Sequence, residues 1–209
     1  MDLNLILVCV VIVVALFFSY TNGFHDAANA IATSVSTRAW TPRAALLMAA
    51  TMNVIGAMMG TAVAKTVGKG IISISDYAES PLPEMQQKGL VIILAALLGA
   101  CIWNLITWWF GLPSSSSHAL IGGMVGAGLL SGTDVFWWGI MSHVVIPMFA
   151  SPIIGFVVGY IAMKLVLWAL RKAQYHRTMR RFRAAQRFSS AAMALGHGIQ
   201  DAQKTMGII

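Results

Sequence analysis

The stretch Asn22-Gly23-Phe24-His25-Asp26-Ala27-Ala28-Asn29-Ala30 places a histidine, an aspartate and two asparagines at the inner end of a strongly apolar segment. The preceding run, Leu3 to Phe18, consists almost wholly of Leu, Ile, Val, Ala and Phe. With the weakly polar Ser19 to Thr21, it approaches the ~20 residues that a helix needs to span a bilayer. A carboxylate in such a segment is costly and usually functional. The pattern therefore predicts a membrane helix with a polar break between Asn22 and Asp26.

A second polar stretch near the end of the chain repeats this arrangement, in Gly196-His197-Gly198-Ile199-Gln200-Asp201-Ala202-Gln203-Lys204-Thr205-Met206-Gly207. Both stretches have an apolar lead-in, a glycine, an Asp-Ala pair and a polar residue three positions after the aspartate. Two such breaks in one chain predict duplicated halves around a shared site. In an inverted repeat, we expect the two breaks to meet near the membrane midplane from opposite sides.

The composition excludes an ordinary soluble domain, because 58% of the 209 residues are hydrophobic and only 10% are charged. We predict an all-α, polytopic membrane protein, an inverted-repeat transporter with broken helices and a Ser-rich helical hairpin. Cys9 and Cys101 lie in apolar runs, where a small buried hydrophobic residue is the expected role. We therefore infer neither a disulfide nor a cysteine metal site.

The net charge of +7 comes mainly from one basic block that contains no Asp or Glu. Its members are Arg171, Lys172, Arg177, Arg180, Arg181, Arg183 and Arg187. The block lies between two apolar segments and has no recognisable nucleic-acid-binding motif, so we do not expect a nucleic-acid partner. The positive-inside rule predicts a cytoplasmic loop here. Arg38 and Arg43 follow the first segment, which places the N-terminus outside.

We divide the chain into a first membrane repeat (1–170), the basic cytoplasmic loop (171–187) and the start of a second, inverted repeat (188–209). The predicted membrane segments of the first repeat are Leu3 to Ala32, Ala44 to Val67, Gly89 to Phe110, the Ser-rich segment and Phe136 to Leu170. Pro147 and Pro152 should kink or divide the last of these. If both the Ser-rich segment and the last segment cross, five crossings connect an outside N-terminus to an inside basic loop, and this odd count inverts the second repeat. The implied location is the cell's inner (plasma) membrane.

The segment from Pro113 through Ser114, Ser115, Ser116, Ser117 and His118 leads into a glycine-rich apolar run. It suits a half-helix or hairpin whose N-terminal amides and hydroxyls face an anion. It equally suits a Ser-rich loop before a tightly packed, Gly-rich helix. The residues alone leave both interpretations open.

Asp26 and Asn29 are three residues apart and can share a helix face, offering a carboxylate and an amide to a cation or to a hydrogen-bonded anion. Lys204 stands three after Asp201, where the first unit has Asn29. An ammonium there could neutralise Asp201 permanently, as a bound Na⁺ does reversibly. This difference favours proton coupling over sodium coupling. His25 and His118 are further proton candidates, because imidazole titrates near neutral pH.

At these motifs, the chain closely resembles the bacterial branch of the inorganic phosphate transporter (PiT) family, in Asn22 to Arg43, Trp108 to Gly123 and Gly196 to Ile209. The resemblance implies a secondary transporter that takes up inorganic phosphate, or a neutral metal-phosphate complex, with Na⁺ or H⁺ by alternating access. By position, it implies a substrate site that consists of Asp26, Asn29, Ser114 to Ser117, Gln200, Asp201 and Lys204.

The coupling-ion or proton candidates are His25, Asp26, Asn29, His118 and Asp201, and no bound metal or other cofactor is expected beyond the coupling cation. Gln200 stands where family members commonly have Asn. Family members also continue into the rest of a second repeat, so we expect this chain to be a fragment. A homodimer and a surrounding lipid bilayer are the other expected partners.

Three rival functions stay open at this point. A transporter of divalent metals or other cations also suits carboxylates, amides and histidines, although the serine run and Lys204 argue against it. An intramembrane serine hydrolase would need Ser116 and His118 to face each other, which residues two apart on a helix do not. A phosphate sensor without transport would use the same site. We expect a transporter and not an enzyme.

Overall fold

The computed structural model describes residues 3–59, 71–72, 77 and 80–206, with backbone only at 29, 175–177 and 202–206. The helices are α1 (Leu3–Ser36), α2 (Pro42–Ala57), α3 (Pro83–Trp109), α4 (Ser116–Ser131), α5 (Trp137–Ile140), α6 (Ile146–Leu170) and α7 (Tyr175–Met206), with a π-helical turn at Met141–Val145 between α5 and α6. The end of the predicted second segment (60–67) lies outside the described residues, as do residues 68–70, 73–76 and 78–79.

α1 runs without interruption through the polar stretch, so the predicted break between Asn22 and Asp26 is wrong. The hydroxyl of Thr21 donates to the carbonyl of Phe18 within the same helix (2.8 Å). Asn22 and Asp26 are four apart and therefore lie on one face, where they meet α7. Polar side chains of α1 contact side chains on neighbouring helices. They therefore need no hydrogen bonds from unwound backbone, and the helix stays intact.

α7 is likewise continuous from Tyr175 to Met206, and it passes through the second polar stretch without the predicted break. The basic segment predicted as a loop is helical from Tyr175 onward. Arg187 ties this helix to the turn between α1 and α2. Its Nε donates to the carbonyl of Ala39 (2.6 Å), and its guanidinium lies 5.4 Å from the ring centre of Trp40.

Two clusters of buried apolar side chains lie along α1. The first joins α1 to α3 and α4 and includes Val11, Ala15, Phe18, Ala96, Leu97, Ala100, Leu120 and Met124. The second joins α1 to α2 and α7 and consists of Ala30, Ile31, Ala45, Ala49 and Ala194. The polar residues of α1 lie in sequence between the two clusters, so apolar packing on both sides fixes their position.

Glycines allow two pairs of helices to approach closely. A Cβ atom on Gly198 of α7 would lie 2.6 Å from the Asn53 Cα of α2, and one on Gly56 would lie 2.8 Å from the Ile199 nitrogen. A Cβ on Gly123 of α4 would meet the backbone of Ala96 on α3. Both contacts are backbone against backbone and exclude any larger residue.

Among the described residues, three helical segments are long and apolar enough to cross a membrane, namely Leu3–Ser36, Pro83–Trp109 and Trp137–Leu170. α4 has 16 residues and is about 24 Å long, which is short of a ~30 Å hydrocarbon core. It matches the predicted half-helix and not a full crossing. The proline-containing segment is continuous, with Pro147 in the first turn of α6 and Pro152 inside it.

Candidate functional site

The site forms where α1 meets α7, and its centre is His197. The Nε2 atom of His197 lies 3.0 Å from Oδ2 of Asp201 and 3.6 Å from Oδ2 of Asp26. The Asp26 and Asp201 side chains are 13% and 11% exposed. Both distances are within the range of an ion pair with a protonated imidazole. The two repeated aspartates are thus brought together, as the sequence predicts.

Asn53 on α2 fixes the orientation of this imidazole. Its Nδ2 donates to the carbonyl of Ala49 (2.8 Å), which leaves its Oδ1 facing Nδ1 of His197 at 2.8 Å. Nδ1 must therefore carry hydrogen and donate. A lone pair on Nε2 would face the carboxylate oxygens, so a positive charge stabilises the cluster. A proton on Nε2 or a cation between the carboxylates can provide it.

One ligand atom from each of Asp26, His197 and Asp201 lies within 4.8 Å of the other two. Carboxylate oxygens and imidazole nitrogens are ligands for many cations. Asn22 extends the set, because its Nδ2 donates to Asp201 Oδ2 (3.3 Å) while its buried Oδ1 has no hydrogen-bond partner among the described residues. This cluster therefore offers the ligand atoms that a small cation needs.

α3 also contributes polar side chains that contact α1. His25 lies next to Asp26, with Nδ1 3.8 Å from Oδ1, and its Nε2 lies 3.4 Å from the Thr107 hydroxyl. Asn104 donates to the Thr21 hydroxyl at 3.5 Å and bridges α3 to α1. A polar layer therefore runs from α3 through α1 to α7.

A cavity of about 380 Å³ opens beside this layer, between α1 and the serine segment. His25 and Thr107 line one side of it, and Pro113 and Ser114 line the other. The Ser114 hydroxyl also accepts a hydrogen bond from the Trp103 indole (3.2 Å). The cavity brings one predicted serine next to the predicted histidine of α1.

The serine run begins α4 in the manner predicted for a half-helix. Ser115 is the N-cap, and its hydroxyl accepts from the His118 amide (3.4 Å). Ser116 is 2% exposed, and among the described residues its hydroxyl has no hydrogen-bond partner. Ser117 is half-buried. A buried hydroxyl without a partner at a helix N-terminus suits an anionic ligand.

Four predicted site residues remain. His118 and Gln200 are exposed. The side chains of Asn29 and Lys204 lie outside the described residues. Their roles stay predictions from the sequence.

Sequence reasoning missed Asn22, Thr107 and above all His197 as site residues. The repeat itself contains the signal for two of them. Aligning Asp26 with Asp201 places Asn22 opposite His197, each four residues before its aspartate. That spacing puts a helical side chain next to the carboxylate. Thr107 has no comparable signal, because only packing of α3 against α1 brings it to His25.

Residues 22–209 match the sequence profile described as the Phosphate transporter family. The chain belongs to this family. The match begins at Asn22, the first site residue of α1, and includes the cluster around His197. The family and the relatives of this chain are transporters and not enzymes.

Curated relatives agree with this assignment. A probable low-affinity inorganic phosphate transporter of Streptomyces halstedii is 56% identical over 95% of this chain and 89% of its own length. One from Bacillus subtilis (strain 168) is 45% identical over 100% of this chain and 60% of its own length. The low-affinity inorganic phosphate transporter PitA of Escherichia coli (strain K12) is 34% identical over 93% and 43%. The chain thus spans about half the length of several relatives.

A solved structure described as the sodium-dependent phosphate transporter has the same fold. Its TM-score is 0.70 at 25% identity, over 96% of this chain and 53% of that one. These similarities confirm the predicted resemblance and the all-α, polytopic membrane fold.

Proposed function

We propose that the protein to which this chain belongs carries inorganic phosphate across the membrane together with a cation. The observation that carries this proposal is the meeting of Asp26 and Asp201 through His197. Equivalent positions of two repeated units converge on one site, as the alternating-access mechanism of inverted-repeat transporters requires. The phosphate-transporter relatives support the choice of substrate.

For phosphate binding, the proposed groups are the Ser114 to Ser117 hydroxyls and the N-terminal amides of α4. The hydroxyl of Ser116, which has no hydrogen-bond partner among the described residues, and the cavity at Ser114 support this assignment. Carboxylates alone would repel phosphate, so the aspartates act through positive charge held between them. Asn29, Gln200 and Lys204 complete the proposed substrate site by their positions in the repeated motifs.

For coupling, we propose protons in preference to sodium. The support is Lys204, a permanent cation three residues after Asp201 at the position where the first unit has Asn29. Sodium is the second candidate, because the solved relative is described as a sodium-dependent phosphate transporter. Sodium would lie between the Asp26 and Asp201 carboxylates.

The test is uptake of radiolabelled phosphate into liposomes that contain the complete transporter or, separately, this chain, with a Na⁺ or a proton gradient imposed. Uptake driven by a proton gradient alone supports the role proposed for Lys204. If uptake strictly requires Na⁺, the role proposed for Lys204 is wrong, while the proposal of phosphate transport stands. If the complete transporter binds phosphate but moves none under either gradient, it is a sensor and not a transporter.

Two finer proposals accompany this function. The N-terminus lies outside and the segment at 171–187 lies in the cytoplasm, supported by the placement of basic residues along the sequence. Phosphate travels either free or as a neutral metal complex. Parallel uptake of radiolabelled phosphate and a divalent metal separates these two forms, because a complex moves both at a fixed ratio.

A further inference from the structure

α6 exposes its whole circumference, since none of its residues is buried. The segment Trp137–Leu170 has a mean hydropathy of 2.2 over its most apolar window. Such an apolar surface suits contact with lipid acyl chains or with another membrane helix. α6 ends at Leu170, and the chain turns there into the basic first part of α7.

An apolar cavity of about 320 Å³ lies at this turn. Leu170 and Ala173 line it from the end of α6, and Thr178, Met179 and Phe182 line it from α7. The cavity continues the apolar surface of α6 at the level where the chain becomes charged. Its location therefore corresponds to the boundary between acyl chains and headgroups.

Exposed basic residues lie close in the sequence to those that line the cavity. Arg171 and Lys172 lie between Leu170 and Ala173 in the chain, and all four are at the turn. On α7, Arg181 follows Thr178 by three residues and Arg183 follows Met179 by four, so the two arginines flank the cavity face. Residues 135–200 contain no Asp or Glu to neutralise them. Clusters of this kind beside a membrane helix attract anionic lipid headgroups.

We propose that this cavity and its basic border bind an anionic phospholipid. One acyl chain lies against Leu170, Met179 and Phe182, and the headgroup phosphate lies at the rim of the cavity, within reach of the long side chain of Arg181 or of Arg183. The apolar lining and the charge are both required, which distinguishes this site from a diffuse basic surface. Arg187 is not part of it, because its side chain contacts Ala39 and Trp40.

The test is native mass spectrometry of the purified 209-residue chain, titrated with phosphatidylglycerol or with phosphatidylcholine of the same acyl chains. We expect at least about tenfold tighter binding of the anionic lipid. The double variant Arg181→Gln/Arg183→Gln should lose that preference. The matched control Arg43→Gln/Arg180→Gln removes the same charge, and its affinity should stay within about twofold of the parent.

A second variant tests the apolar half of the site. Ala173→Trp fills the cavity without changing the charge, so it should weaken binding of phosphatidylglycerol by about tenfold. Thermal unfolding of each variant in detergent shows whether it is folded. Because a variant that fails to fold says nothing about lipid, the parent chain is also titrated at rising salt, where the preference for phosphatidylglycerol should disappear.

Several results would overturn the proposal. If the parent chain binds the two lipids with equal affinity, the cavity does not select an anionic lipid. If the control double variant loses the lipid preference equally, the lipid responds to diffuse charge. If Ala173→Trp binds phosphatidylglycerol as tightly as the parent, no acyl chain occupies the cavity. Displacement of the lipid by millimolar inorganic phosphate would show that the arginines bind free phosphate and not a headgroup.

Discussion

The imidazole of His197 on α7 lies 3.6 Å from the Asp26 carboxylate on α1, and it is also 3.0 Å from Asp201 one turn along its own helix. One side chain therefore contacts both repeated aspartates. Its other ring nitrogen bonds to Asn53 on α2. Three helices meet at this ring, and a shift of α1 relative to α7 changes the distance between the carboxylates.

Replacing His197 with alanine should lower phosphate uptake at least about tenfold, because two mostly buried carboxylates lose the group between them. We expect unfolding to become easier by about 1–3 kcal/mol, the cost of leaving buried polar partners unsatisfied. His197→Asn is the matched control, because asparagine occupies the equivalent position in the first unit. Asparagine keeps an amide donor and should recover part of the uptake. Alanine and asparagine variants with equal uptake would contradict this role.

Asp26→Asn and Asp201→Asn should each reduce uptake by about tenfold or more, since each removes one negative charge from a shared cluster. The double variant should be little worse than either single one, because residues that act as a unit do not add. Uptake is measured at saturating and at low phosphate for all three variants. Strictly additive losses would show that the two aspartates work at separate sites.

Ser115 and Ser116 are neighbours with different expected effects. Ser115→Ala removes the N-cap of α4 and should lower stability by about 1 kcal/mol, which thermal unfolding measures. Ser116→Ala removes a buried hydroxyl that has no hydrogen-bond partner among the described residues, so stability should be unchanged. If that hydroxyl binds phosphate, KM should rise by about fivefold or more, the loss of one hydrogen bond to a charged group. A Ser116→Ala variant with normal KM would remove Ser116 from the substrate site.

The sequence predicts the helical class and the meeting of the two Asp motifs, because composition and repetition are global signals. It does not predict that α1 and α7 stay continuous. Polar residues within an apolar run are typical of a broken helix, but Thr21 bonds back to Phe18 and Asn22 bonds across to Asp201. Partners on other helices decide this outcome, and spacing along one chain does not show them.

The site could be predicted only in part for the same reason. Asp26 and Asp201 follow from the repeat, and a half-helix at the serine run follows from its polar start and glycine-rich continuation. The role of His197 depends on how closely α7 approaches α2. That approach is possible because Gly56 and Gly198 lack side chains, a property that becomes informative only when the two helices are known to touch.

Gly198→Ala should disrupt this contact, because its Cβ would lie 2.6 Å from the Asn53 Cα, and neither backbone can yield locally. We expect a loss of stability of about 1–3 kcal/mol from overpacking. Phosphate uptake should also fall, because separating α7 from α2 moves His197 away from Asn53. Thermal unfolding in detergent and uptake into liposomes measure the two effects.

Gly196→Ala is the matched control on the same helix, since a Cβ there would meet nothing within 4 Å. Alanine is the better helix former by up to about 1 kcal/mol, so this variant should be as stable as the parent or more stable. Its uptake should be unchanged. If Gly198→Ala were as stable and as active as Gly196→Ala, the close contact between α2 and α7 could not be what positions His197, and the site would have to be held by the α1 contacts alone.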